Sequence, residues 1–165
     1  MAKTKLTVRE VTVFGMLAAL TFGAKVAMSQ LPNIEPVTLF LLVFGAVFGW
    51  KSLFITYVYV LAEFLFFGLG TWNLYYLYIW VIPTALGWGL RRMNHPLLWA
   101  VISGVYGLLF GALCALTDLF IGGPGFAASK WVSGIPFDLA HCAGNFVLAL
   151  LLFVPLRNLL RRLVK

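Results

Sequence analysis

Charged side chains are scarce in this sequence. They make up 10% of its 165 residues, and only five are acidic, whereas soluble domains run to roughly 25% charged. With 62% of residues hydrophobic, a chain of this length has too little interior to hide its apolar groups. That excludes an ordinary water-soluble domain and points to an integral membrane protein, with bilayer lipid as the solvent. Cysteine is nearly absent as well: Cys114 and Cys142 both sit inside apolar runs, which argues against a disulfide scaffold and leaves two buried thiols. No Gly-x-x-x-x-Gly-Lys-Ser/Thr loop, Gly-x-Ser-x-Gly elbow or His-Glu-x-x-His pair occurs. The chain is therefore expected to be no enzyme, to hydrolyse no nucleotide and to carry no cofactor. The two halves show no inverted repeat, which argues against a self-sufficient secondary transporter.

What is present is a succession of apolar runs. A spanning helix needs about 20 mostly apolar residues, and six runs fit: about Val8 to Gln30, Val37 to Gly49, Leu53 to Leu69, Leu74 to Leu90, Leu97 to Leu119 and Ile135 to Leu156. The first follows basic residues without a small-residue cleavage site, so it reads as a retained helix. Leu31-Pro-Asn-Ile-Glu-Pro36 separates it from the second, because proline cannot continue a helix and Asn33 suits a turn. Trp50-Lys51-Ser52, Gly70-Thr-Trp-Asn73 and Arg91-Arg-Met-Asn-His-Pro96 are further turns. The longest connection is Ile121 to Trp131, and it holds Gly122, Gly123 and Gly125. The expected fold is an all-α, compact bundle of six transmembrane helices forming one domain over residues 1–165.

The net charge of +7 suggests nucleic acid only until the basic residues are placed, for they lie at the ends of apolar runs and form no single face. Six spans put Lys3, Lys5, Arg9, Lys51, Arg91, Arg92, Arg157, Arg161, Arg162 and Lys165 on one side, and Lys130 alone on the other. The positive-inside rule then places both termini in the cytoplasm of a multi-pass plasma-membrane protein. Lys25 lies five residues before Gln30, about 8 Å below the outer end of its helix. Glu35, Glu63, Asp118, Lys130 and Asp138 share its outer depth, which implies a polar cavity open to the outside. Isolated charges there are costly, so Asp118 is expected to pair with Lys130, and Lys25 with Glu63.

Asp138, His141, Cys142 and Asn145 are spaced i, i+3, i+4 and i+7 and so share one helical face. They suit a ligand-binding wall, or else Asp138 complements a helix N-terminus while His141 and Asn145 bond to neighbouring helices. Metal ligation by His141, Cys142 and Asp138 lacks a second ligand cluster. Trp72, Tyr75, Tyr76, Tyr78, Trp80 and Trp131 crowd the outer halves. An interfacial belt accounts for most of them, while Tyr76, Trp80, Pro83 and Gly87 form a stripe that can face a cavity. Asn33, Glu35, Trp72, Tyr76, Trp80, Asp118, Lys130, Trp131, Asp138, His141 and Asn145 make up the candidate substrate-binding set. Gly15, Ala19, Gly23 and Ala27, widened by Ala18 and Ala24, form a ladder of small residues that lets a partner helix approach closely.

Gly15-Met-Leu-Ala-Ala-Leu-Thr-Phe-Gly23, Leu31-Pro-Asn-Ile-Glu-Pro36 and Ser133-Gly-Ile-Pro-Phe-Asp138 resemble the S components of energy-coupling factor transporters, which are membrane subunits that bind substrate for an ABC-type vitamin importer. The likeness covers nearly the whole chain and is closest to the cobalamin-specific members of lactobacilli. It implies capture of a vitamin from outside by the outer loops, and association with a membrane coupling protein (the T component) and two cytoplasmic ATPases. It also implies toppling in the membrane to deliver the vitamin inward. Gly15, Ala18, Ala19 and Gly23 are then the partner interface, the cobalamin phosphate meets Lys130, and Gly122, Gly123 and Gly125 allow an opening lid. The alternatives are another vitamin on the same scaffold (pantothenate, a thiamin precursor or pyridoxine), a tryptophan-rich tetrapyrrole receptor without transport, and a structural membrane subunit.

Overall fold

The computed structural model describes residues 5–31 and 33–164. Lys3 and Lys165 of the charge pattern, and Pro32 of the first turn, lie outside the described residues. Within them the chain is helical, without a strand: α1 Val8–Ala27, α2 Val37–Phe48, a 3-10 turn Gly49–Lys51, α3 Ser52–Phe67, α4 Trp72–Ile79, α5 Val81–Gly89, α6 Pro96–Leu108 and α7 Phe110–Leu163. Three helical stretches are long and apolar enough to cross a membrane: Val8–Ala27, Val37–Phe67 and Pro96–Leu163. Much of the outer surface is apolar, with Leu65, Phe66, Val132, Leu139 and Leu151 all exposed. An apolar exterior on that scale marks a lipid-facing protein.

The termini of each helix follow from local chemistry. Thr7 caps α1 in a reciprocal box with Glu10, which satisfies two of the helix's orphan N–H groups. α1 stops at Ala27, three residues before the expected Gln30. Gly49 and Gly68 carry φ of 64° and 81°, a region closed to most side chains, and they end α2 and α3. Gly45 and Thr56 both meet Thr84, so the chain doubles back at Gly49–Lys51. Pro96 opens α6 at the first helical position, where its missing N–H costs nothing. The expected fourth run starts earlier than Leu74 and divides at Trp80. Pro83 cannot donate to the Ile79 carbonyl four residues back, and the Tyr106 hydroxyl donates to that carbonyl instead, at 2.9 Å.

The largest departure from expectation is the connection Ile121 to Trp131. It is helix, not loop, and the sixth helical run starts some ten residues before Ile135. Only Gly123 is non-helical, at φ 78° and ψ −178°. There the direction reverses, and residues 124–163 run back along residues 96–122. Contacts mark the antiparallel register: Asp118 with Lys130, Gly111 with Asp138, Gly104 with Cys142 and Phe146, Trp99 with Phe153, and Met93 with Arg157. The expected glycine lid is thus the tip of a helical hairpin. Asp138, expected near a helix N-terminus, lies well inside the second arm.

α2 sits at the centre. Val37 to Leu39 and Leu41 to Ala46 are all buried, as a helix apolar on every side requires. Against α5 the backbones nearly touch: a Cβ on Gly87 overlaps the Leu42 carbonyl oxygen and stands 3.1 Å from the Ala46 nitrogen. α1 runs parallel to α3, as Phe14 with Phe54, Phe22 with Phe66 and Lys25 with Glu63 show. α4 and α5 run antiparallel to α3, through Phe64 with Trp72, Tyr59 with Trp80 and Thr56 with Thr84.

Candidate functional site

Three polar groups assemble towards the end of the bundle that holds Lys25 and Lys130. The first is built on α1 and α3. The Lys25 ammonium meets a Glu63 carboxylate oxygen at 2.5 Å and the Tyr76 hydroxyl at 3.1 Å. Glu63 is 1% exposed, so this ion pair satisfies a charge that otherwise has no place in the interior. Beside it, Lys25, Asn33, Glu35 and Phe67 line a cavity of about 190 Å³. Asn33 takes φ 55° in the turn, a conformation asparagine tolerates better than most residues.

Glu35, in that turn, is half-buried. Burial pushes its carboxyl up to about 7; Lys25 pulls the other way, and Glu63 adds to the rise. Between its ordinary value of 4.5 and about 7 the folded protein holds a proton that the unfolded chain has released. Stability therefore falls as pH rises through that window. Unfolding followed from pH 5 to pH 8 in Glu35→Gln should lose this slope. A slope equal to that of the wild type would show that Glu35 is not its source.

The second group lies where α4 meets the hairpin. Lys130 bonds Asp118 at 2.7 Å and the Tyr75 hydroxyl at 2.8 Å, and Tyr75 in turn donates to Asp118 at 2.5 Å. The expected Asp118–Lys130 pair therefore forms, with Tyr75 as an unforeseen third member. Tyr78 donates to the Leu113 carbonyl at 2.7 Å and fixes α4 against the same arm. Trp131, the next residue, is 44% exposed on the outside of the bundle and does not join the others.

The third group is the face of Asp138, His141 and Asn145, all three buried. Glycines on the opposite arm make room for it. A Cβ on Gly107 would come within 2.8 Å of the His141 carbonyl, and one on Gly111 would strike the Asp138 carboxylate. Asp138 accepts from the Gly111 N–H at 3.0 Å, while the Asn145 amide donates to Thr38 at 3.2 Å and to the Ser103 carbonyl at 3.3 Å. Thus Asp138 accepts an N–H from the first turn of α7, on the opposite arm of its own hairpin, while Asn145 bonds the neighbouring α2 and α6 as expected. His141 does not: its ring packs on Phe110 and Tyr106, and Nε2 finds no partner among the described residues.

Aromatic rings join the first group to the third. Trp72 packs on Tyr76 (5.0 Å between centroids), Tyr76 on Trp80 (5.4 Å), Trp80 on Phe110 (5.6 Å) and Phe110 on His141 (5.0 Å). Tyr59 branches from Trp80 at 5.9 Å. Along this path the Trp80 N–H and His141 Nε2 are buried without a hydrogen-bond partner among the described residues, and the Tyr59 hydroxyl and second Glu63 oxygen have none outside the Tyr59–Glu63 pair. Each such group costs about 1–3 kcal/mol, and several on one path are unusual in a protein interior. The arrangement offers stacking faces and hydrogen-bonding edges. Among the described residues no three His, Cys, Asp or Glu side chains gather as metal ligands.

Tyr59 and Tyr106 were missed at the sequence level. Tyr59 was legible, since it precedes Glu63 by four residues and shares its face. Tyr106 carried no such signal, because its hydroxyl is placed by a carbonyl that Pro83 frees on another helix. Of the small-residue ladder, Ala19, Gly23 and Ala27 are exposed and Gly15 is half-buried, with no atom within 4 Å of a Cβ built on Gly15 or Gly23. Ala18, expected in the same strip, instead turns into the core at 1% exposure. No protein-family model, curated protein or solved structure matches this chain.

Proposed function

We propose that the chain crosses the plasma membrane six times with both termini in the cytoplasm, and that it is the substrate-binding S component of an energy-coupling factor importer. The observation that carries this reading is the set of buried polar atoms of Tyr59, Glu63, Trp80 and His141 along one aromatic path, which, apart from Tyr59 and Glu63 facing each other, find no partner among the described residues. In a lipid-embedded protein such groups are costly and mark a ligand pathway. The topology is supported by the clustering of Lys5, Arg9, Lys51, Arg91 and Arg161 at the end opposite Lys25 and Lys130. The positive-inside rule assigns that end to the cytoplasm.

The ligand proposed is a vitamin taken from outside, cobalamin first, by the resemblance stated above. A smaller vitamin on the same scaffold is the second reading, favoured by the cavity of about 190 Å³ beside Lys25 and Glu35, since a corrinoid is several times larger. Purifying the protein and identifying its retained small molecule by absorption and mass spectrometry separates the two. A red, cobalt-containing ligand supports the first, thiamin or pantothenate the second, and a binding-competent protein that retains and takes up no vitamin defeats both.

Energy for uptake is assigned to two cytoplasmic ATPases acting through a membrane coupling protein that docks on Gly15, Ala19 and Gly23. The exposure of Ala19 and Gly23, with Gly15 half-buried in line with them, supports that contact. Ala19→Trp should abolish copurification with the partner subunits while ligand retention stays at the wild-type level. An intact complex with a tryptophan there would rule the strip out as the interface.

A further inference from the structure

The opposite end of the bundle holds a larger hollow. A groove of about 650 Å³ lies between the start of α1, the α2–α3 turn and the end of α7. Its floor is apolar, with Leu17, Phe48 and Leu160 along it, and its rim carries Lys5, Arg9 and Lys51. Glu10 is the acid on that rim, and it is committed: one oxygen takes Lys51 at 2.6 Å and the other closes the Thr7 cap. Among the described residues no carboxylate pairs with Lys5 or Arg9. The groove therefore joins an apolar trough to two cations that no described carboxylate pairs with, both on exposed residues.

Its chemistry selects the occupant. From Val8 to Leu17 α1 advances about 13 Å, a length over which an extended hydrocarbon chain can lie on the apolar floor. A cationic rim above it calls for a negative group at the chain's head, and basic pockets at the ends of membrane helices hold anionic lipid head groups in this way.

We propose that this groove is a binding site for an anionic phospholipid, with an acyl chain along Leu17, Phe48 and Leu160 and the phosphate at Lys5 and Arg9. The site is independent of the vitamin reading. It is tested on the full chain in detergent by native mass spectrometry, with phosphatidylglycerol and phosphatidylcholine of matched acyl chains as probes.

Phosphatidylglycerol should be retained in preference by about tenfold or more, as two surface cations imply. The double variant Lys5→Gln/Arg9→Gln should lose that preference. Both residues are exposed, so the variant tests binding without challenging the fold. Equal retention of the two lipids, or a preference unchanged in the variant, overturns the proposal. So does displacement of phosphatidylglycerol by an equal concentration of glycerophosphoglycerol, which has no tails and would reveal a phosphate site alone. A photo-crosslinker at Val13 in native membranes should label phospholipid; labelling only polypeptide would make the groove a protein-docking face instead.

Discussion

Gly87→Ala is expected to destabilise the bundle by about 3 kcal/mol or more, at or beyond the top of the range for overpacking. The reason is that the added methyl meets main chain. Its near neighbours are the Leu42 carbonyl group and the Ala46 nitrogen, and neither can turn aside as a side-chain tip can. The reciprocal position is equally closed: a Cβ on Gly45 overlaps the Thr84 carbonyl and stands 2.9 Å from the Trp88 nitrogen. Relief requires α2 and α5 to separate, and α2 is the helix around which the core is built. Gly89→Ala serves as the control two residues on, because nothing lies within 4 Å of a Cβ there. It should be neutral or stabilising by up to about 1 kcal/mol, through better helix propensity. Unfolding of the two variants in mixed micelles compares them directly, and equal stabilities would refute the close-approach argument.

Lys25→Met should be the most damaging change to the cleft, at about 3–5 kcal/mol, because it strands the buried Glu63 carboxylate. Glu63→Gln should cost less. Lys25 keeps 18% of its side chain exposed and retains Tyr76 as a partner, so its ammonium can reach towards water when Glu63 is neutral. The double variant Lys25→Met/Glu63→Gln should recover most of what Lys25→Met loses. That order of stabilities identifies a coupled pair. If the double variant instead shows the sum of the single losses, the two residues act independently and the ion pair is not what holds α1 to α3.

How much was legible in the sequence varied with the range of the interaction. The Lys25–Glu63 and Asp118–Lys130 pairs were readable because an isolated charge inside an apolar run must find its opposite, and the sequence offers few. The inward face of Asp138, His141 and Asn145 followed from helical spacing. Gly123 was harder. The run Gly122, Gly123, Pro124 and Gly125 suggested a loop, yet one reversal at a single positive φ serves, with Pro124 able to start a helix at once. The Gly104, Gly107 and Gly111 spacing was available as a small-residue signal and was overshadowed by the ladder in α1. The freed Ile79 carbonyl was not available, because it depends on which helix stands beside Pro83. The polar rim at the basic end was read as orientation alone, since the trough beneath it is made from three distant parts of the chain.

The single-residue reversal at Gly123 also bears on the order in which contacts can form. Partners across the hairpin are 12 residues apart at Asp118 and Lys130, 27 at Gly111 and Asp138, and 64 at Met93 and Arg157. Each step away from the tip enlarges a loop that the previous step has already closed, so the added entropic cost stays small. The last third of the chain can therefore close as a zipper from its own turn, whereas the bond between Thr38 and Asn145 spans 107 residues and has no such head start.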